Sequence, residues 1–306
     1  MAAHHHHHHH VDPEDGDARV FWAIAVNMGL TVAQVVGGVL SGSLALIADA
    51  MHNLSDAIAL VIAFLARKIA RRPANSDMTY GYGRAEIVAA LVNYTTLIII
   101  GFYLTFEAIQ RLFEPADVDG WLVVIIAAVA LVVDLITALL TFSLSRESIN
   151  IRAAFLHNVA DALGSIAVII AGTAIILYDW RLVDPLVTLL IAGYILWQSF
   201  SEIGDVIRIL MLGRPSDIQT ASVLEAIRKV NGVTGVHHLH FWQMQEHENA
   251  LEAHLVIEAG LWDHADAIKQ SVKEALMERF GIRHSTLELE CSRHACPNPS
   301  IIGHGE

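Results

Sequence analysis

Charge is scarce in this chain, and it is missing altogether from three long stretches. Only 17% of the 306 residues are charged, where a soluble domain carries about a quarter, and the mean hydropathy is +0.48. Nothing charged lies between Arg19 and Asp49, within 87–106, or within 162–178. Runs of that length exclude an ordinary soluble domain and are candidates for membrane-spanning helices. Cysteine is nearly absent. Cys291 and Cys296 sit late and close together, which excludes a disulfide framework and fits a reducing, cytosolic tail. Basic residues are in deficit, 19 against 32 acidic, for a net charge of −13, so nucleic acid is not an expected partner. The N-terminus lacks the apolar core and small-residue cleavage site of a signal peptide. It carries instead seven histidines, His4–His10, and an acidic stretch from Asp12 to Asp17, which reads either as a purification tag or as a native metal-collecting tail.

The apolar pattern predicts six membrane helices, over about 20–40, 44–68, 86–112, 120–145, 150–178 and 186–210. Ser41-Gly42-Ser43 makes a tight turn after the first, and Pro73, Pro115 and Pro185 punctuate later connections. Arg67, Lys68, Arg71, Arg72 and Arg84 crowd the second connection, Arg146 and Arg152 the fourth, and Arg208 and Arg214 follow the last helix. The other side has only Arg111 and Arg181, each among acids. The positive-inside rule then places both termini in the cytoplasm, and a bacterial inner (plasma) membrane is the expected location. The expected division is a tail over 1–19, a six-helix transmembrane domain over 20–212, a globular domain over 213–291 and a tail over 292–306. The globular part reads as a helix over 217–230 capped by Ser216 or Asp217, strands over 235–244 and 250–258, a helix over 263–280 and a strand over 284–290. This αββαβ order predicts a ferredoxin-like α+β layer.

One six-residue phrase occurs twice inside apolar helices: His52-Asn53-Leu54-Ser55-Asp56-Ala57 and His157-Asn158-Val159-Ala160-Asp161-Ala162. Each puts a histidine and an aspartate four residues apart, on one helical face. An aspartate at the centre of a spanning helix costs roughly 2.5–3.5 kcal/mol on insertion scales and is rarely there without a partner or a task. A single such pair is more often a structural couple. Repetition favours a shared N2O2 site for a divalent cation formed by His52, Asp56, His157 and Asp161. Asp49, one turn before His52, is placed to orient that imidazole. Gly164 and Ser165 allow close helix approach. Asn27 and Asn93 read as interhelical hydrogen bonders, while Asp134 reads either as a proton carrier or as a partner for Asn27.

The stretch Gly42-Ser43-Leu44-Ala45-Leu46-Ile47-Ala48-Asp49-Ala50-Met51-His52-Asn53-Leu54-Ser55-Asp56 resembles the signature of the cation diffusion facilitators, a family of divalent cation/proton antiporters. Gly81-Tyr82-Gly83-Arg84-Ala85-Glu86, Glu107-Ala108-Ile109, Asp184-Pro185 and Val236-His237-His238-Leu239-His240-Phe241-Trp242 are similar to further family phrases. The resemblance spans about 20–290. It implies six helices, a cytoplasmic metallochaperone-like domain and a homodimer, and its His-plus-Asp form implies a preference for zinc. It also implies a cytoplasmic metal site using His237, His254, His284 and Glu290, to which Cys291 and Cys296 could add thiolates. The chain departs from the family pattern where Met78 and Tyr82 stand in place of loop histidines, where His238 stands in place of an acid, and at Asp134, where many relatives have asparagine.

A site that must shed protons to take up metal links the two flows, so the expected activity is zinc export against proton entry by rocking of the helices. Zn2+ is the expected cargo and the expected regulator at the cytoplasmic site, with Co2+ or Cd2+ as alternative substrates. The absence of sulfur ligands in the membrane argues against Cu(I), and two imidazoles argue against Mg2+. The competing readings are an intramembrane metalloenzyme and a metal-sensing scaffold or passive channel. The spans lack the Glu-x-x-His and His-Glu-x-x-His patterns of helical metalloenzymes, and a tight four-ligand site would hold an ion too well for rapid conduction.

Overall fold

The computed structural model describes residues 28–142, 149–245, 248–293, 295–296 and 299–303. Within them, α1 (Met28–Ser41) is followed by α2 (Leu44–Ala70), α3 (Ala85–Phe113), α4 (Gly120–Phe142), α5 (Ile149–Tyr178) and α6 (Val183–Leu210). Five of these are long and apolar enough to cross a membrane. The expected first span starts at residue 20, and its part before Met28, with Asn27 in it, lies outside the described residues, as does the His4–His10 tract. Helix α6 begins three residues earlier than the sequence pattern suggests, because Asp184 and Pro185 form its first turn, a position proline tolerates.

The described residues fall into two compact units. One comprises residues up to Ile62 together with Asn93–Ser201, the other Ala63–Val92 together with residues from Glu202 onward. In the first unit, Ala45 and Leu46 of α2 pack with Val123 and Ala127 of α4, Val168 and Ala171 of α5, and Val183 and Val187 of α6. Small residues bring the backbones together: a Cβ on Gly172 would lie 2.8 Å from the Val124 side chain and 3.1 Å from the Gly120 carbonyl. Phe102, Phe106, Leu139, Leu190 and Trp197 are more than half exposed. Such a surface is a liability in water and what a bilayer solvates.

One end of this unit is held by polar clamps. Asp184 accepts hydrogen bonds from Ser43 Oγ (2.5 Å) and from the N–H groups of Leu44 (2.8 Å) and Ala45 (3.3 Å), satisfying donors that the first turn of α2 leaves free. Arg111 Nη1 donates to the Gly42 carbonyl at 2.5 Å. Gly42 itself has φ 72, and a Cβ there would sit 2.6 Å from the Asp117 carbonyl oxygen, so the turn requires glycine.

In the second unit, α7 (Thr220–Arg228), β1 (Val233–Gln245), β2 (Glu248–Ile257), α8 (Ala265–Phe280) and β3 (His284–Cys291) reproduce the αββαβ order. The sheet runs β1-β2-β3, antiparallel then parallel. Its core is Val223 and Ile227 of α7, Leu251, Ala253 and Leu255 of β2, and Val272 and Leu276 of α8. Helix α7 starts later than predicted. Gln219 is its N-cap and makes no side-chain capping bond, so neither Ser216 nor Asp217 holds that position. A short 3-10 turn, Trp262–His264, precedes α8, and Gly281 at φ 64 ends it. The basic loop between α2 and α3 belongs to this unit: Arg84 Nε donates to the Met244 carbonyl at 3.0 Å, and Asn75 Nδ2 donates to the Tyr82 hydroxyl at 2.9 Å.

Candidate metal centres

The periodicity of α2 and α5 brings the repeated phrases together. His52 Nε2 lies 3.7 Å from Asp56 Oδ2 one turn along α2, and 3.5 Å from Asp161 Oδ1 across on α5. His52 and Asp161 are buried, at 7% and 9% exposure, while the Asp56 side chain is 32% exposed. His157 is on α5 one turn before Asp161, and its side chain lies outside the described residues. Ligands 2.0–2.1 Å from a tetrahedral zinc stand about 3.3–3.4 Å apart, and the two separations from His52 Nε2 lie within a few tenths of an ångström of that spacing. The set offers nitrogen and oxygen donors and no sulfur.

Behind His52 runs a hydrogen-bonded chain. Gln34 Nε2 of α1 donates to Asp49 Oδ2 at 2.8 Å, and Asn53 Nδ2 donates to Gln34 Oε1 at 3.2 Å. Gln34 is fully buried and sequence reasoning passed over it. The available signal was an amide with Thr31 at helical spacing in an uncharged run. Gly164 is what admits Asp49 to α5, since a Cβ there would be 3.1 Å from Asp49 Oδ1. The next residue, Ser165, donates to Asp134 Oδ2 at 3.2 Å. Tyr194 of α6, also missed, presents its ring edge-on to His52 at 6.2 Å between centroids.

A second cluster lies on the sheet. His237 and His254 are cross-strand partners on β1 and β2. Glu290, near the end of β3, has Oε1 3.2 Å from His237 Nε2 and 2.7 Å from His254 Nδ1. Cys296 joins them: its N–H donates to Glu290 Oε2 at 3.3 Å and its Sγ lies 3.7 Å from Oε1. One donor atom from each of the four residues falls within 4.8 Å of the others. His237 is 3% exposed. Burial pushes the Glu290 carboxyl up, but the hydrogen bonds from His254 and the Cys296 N–H, with the two imidazoles beside it, hold it below its ordinary value. The Cys296 thiol is raised by burial and by the Glu290 and Glu288 charges. A bound cation reverses that last balance, because it favours the thiolate.

Within one chain, His284 does not join these residues. The parallel register puts His284 opposite Ala250, four residues from His254. It is six residues from Glu290, about 20 Å along the strand at 3.3 Å per residue. Its ring meets Tyr80, 5.9 Å between centroids, so one chain does not bring it to the cluster. Cys291 ends β3 opposite Ile257 and is not among the four.

Apolar helices that bring two acids and an imidazole together, followed by a small sheet domain with a His, Glu and Cys cluster, fit the class of membrane transporters. Residues 20–211 match the model of the cation efflux transmembrane domain and residues 215–291 that of the cation efflux protein cytoplasmic domain. The chain belongs to the cation efflux family, the cation diffusion facilitators. It is 36% identical over 269 residues to the cadmium, cobalt and zinc/H(+)-K(+) antiporter of Bacillus subtilis, covering 87% of this chain and 86% of that protein. It is 34% identical over 305 residues to zinc transporter ZitB of Escherichia coli, covering 95% of each. Among solved structures, the metal-bound C-terminal domain of the CzcD transporter from Cupriavidus metallidurans is 26% identical over 24% of this chain and 99% of that one, with a TM-score of 0.23.

Proposed function

We propose that this chain exports Zn2+ from the cytoplasm in exchange for protons, through a site formed by His52, Asp56, His157 and Asp161. The observation that carries the reading is the approach of His52 Nε2 to Asp56 on its own helix and to Asp161 on α5, at 3.7 and 3.5 Å. Metal binding needs ionised carboxylates and unprotonated imidazole nitrogens, so zinc and protons compete for the same atoms. Protons arriving from outside release the ion, and zinc arriving from inside displaces protons. Rocking of the helices opens the site to one side at a time. Asp49, held by Gln34, steadies the α2 face that carries His52.

The borderline hardness of two imidazoles and two carboxylates suits Zn2+ and accommodates Co2+ and Cd2+. The names of the relatives, a zinc transporter and a cadmium, cobalt and zinc antiporter, support that choice. The clustering of positive charge at residues 67–84 and 208–214 supports a bacterial plasma-membrane protein with both termini inside. The sheet domain serves regulation and homodimerisation: a cation bound by His237, His254 and Glu290 offsets acidic charge and lets two copies approach. The test is zinc uptake into proteoliposomes under an imposed pH gradient. Uptake should follow the gradient and reverse with it. Zinc movement indifferent to the gradient would overturn the antiport reading.

A further inference from the structure

The segment after β3 is tied to the sheet at two places, one on Glu290 of β3 and one on an irregularity of β1. His237 pairs with His254 and His240 with Glu252, three steps on β1 against two on β2, so β1 holds a bulge. His238 takes up the extra length at φ 55, a conformation that a non-glycine side chain keeps only when its surroundings enforce it. The enforcing contacts come from the tail. The His238 N–H donates to the Ser300 carbonyl at 2.9 Å and the Leu239 N–H to the Ile301 carbonyl at 3.0 Å, while Leu239 forms a parallel bridge with Ile302. Leu239 is 1% exposed, so without the tail its N–H would need another partner or water. The other tie is Cys296, on Glu290. The bulge thus begins at a histidine of the metal cluster and is filled by the chain segment that follows the cluster's cysteine.

The geometry points to a metal-held strap: one divalent ion bound by His237, His254 and Glu290 takes its fourth ligand, a thiolate, from Cys296, and so fixes the Ser300–Ile302 segment on the β1 bulge. This rests on the reading that the sheet domain holds metal, and it deepens that reading. On binding, the thiol S–H bond breaks, the sulfur forms its bond to the ion and the proton leaves to solvent. The resulting N2OS set suits Zn2+ and, through its sulfur, Cd2+. Metal occupancy is thereby converted into the presence or absence of an extra edge on the sheet.

The experiment uses Co2+ as the probe on the full chain in lipid nanodiscs. The membrane site contains no sulfur, so a thiolate-to-cobalt charge-transfer band reports on Cys291 or Cys296 alone. The band should appear in the parent protein and in Cys291→Ser and vanish in Cys296→Ser, with the weaker ligand-field bands retained. Hydrogen exchange at the His238 and Leu239 amides should slow about tenfold on adding Co2+ to the parent and stay unchanged in Cys296→Ser. A band that survives Cys296→Ser, or amides indifferent to metal in the parent, overturns the strap. Cobalt bound without a sulfur band overturns the strap, and the sheet-domain site then stands if the joint His237→Ala and His254→Ala variant binds less cobalt. A bound-cobalt count unchanged in the joint His237→Ala and His254→Ala variant, with no sulfur band in the parent, overturns the sheet-domain site itself.

Discussion

Replacing Gln34 by Met tests whether the polar chain behind His52 supports the metal site. The substitution keeps the length and bulk of a fully buried side chain and removes both of its hydrogen bonds, to Asp49 Oδ2 at 2.8 Å and from Asn53 Nδ2 at 3.2 Å. A bond to a carboxylate contributes about 1.5–3 kcal/mol, and an amide pair inside a membrane bundle about 0.6 kcal/mol. The expected loss of stability is therefore about 2–3.5 kcal/mol, visible as a lowered midpoint in thermal unfolding of the detergent-solubilised protein. Asp49 is one turn from His52, so its release also loosens the α2 face that presents the imidazole. Losing a partner that orients a ligand costs 10–100-fold in metal affinity in comparable sites. Half-saturation of zinc uptake in proteoliposomes should rise by about that factor. A Gln34→Met protein with parental midpoint and parental half-saturation would refute the reasoning.

Four further outcomes are expected. Asp161→Ala should abolish zinc uptake while the protein remains folded and membrane-inserted, as should Asp56→Ala, and normal uptake by both single variants would remove the site from the transport path. His52→Asp should keep uptake but broaden it toward Cd2+, Fe2+ or Mn2+, because an oxygen ligand hardens the site; an unchanged metal ranking in competition uptake would show that His52 does not set selectivity. Asp184→Ala strips three hydrogen bonds from the start of α2 and should lower the thermal midpoint, since each buried donor left without a partner costs about 1–3 kcal/mol. Joint replacement of His237 and His254 by Ala should blunt the response of uptake rate to zinc without stopping exchange. Complete loss of uptake in an intact dimer would put these histidines on the transport path.

The repeated phrase was legible because both halves of the pair are unusual in an apolar helix, and helical spacing alone fixes which face they share. Helix identities followed for the same reason: uncharged runs of this length admit few other readings. The sheet-domain cluster was only half legible. Histidines and acids on predicted strands can be picked out, but which of them meet depends on strand register, and the parallel pairing of β2 with β3 carries Glu290 to His237 and His254 while leaving His284 beside Ala250. Cys296 could be noticed in the sequence but not assigned, since its approach to Glu290 depends on how the chain returns after β3. Gln34 was hidden by its chemistry. An uncharged amide in a span reads as an ordinary interhelical bonder until its partner, a carboxylate beside a candidate ligand, is seen.

The grip of Asp184 and Arg111 on the Gly42–Ala45 segment makes that end of α2 a fulcrum. At 1.5 Å per residue, His52 stands about 12 Å along the axis from Leu44, and the far end of the helix at Ala70 about 39 Å. A swing of about 10° around the gripped turn carries His52 through only about 2 Å, but the far end through about 7 Å. His52 thus rides on the short arm of a lever, and any tilt of α2 about its gripped turn moves the far end more than about three times as far as the imidazole.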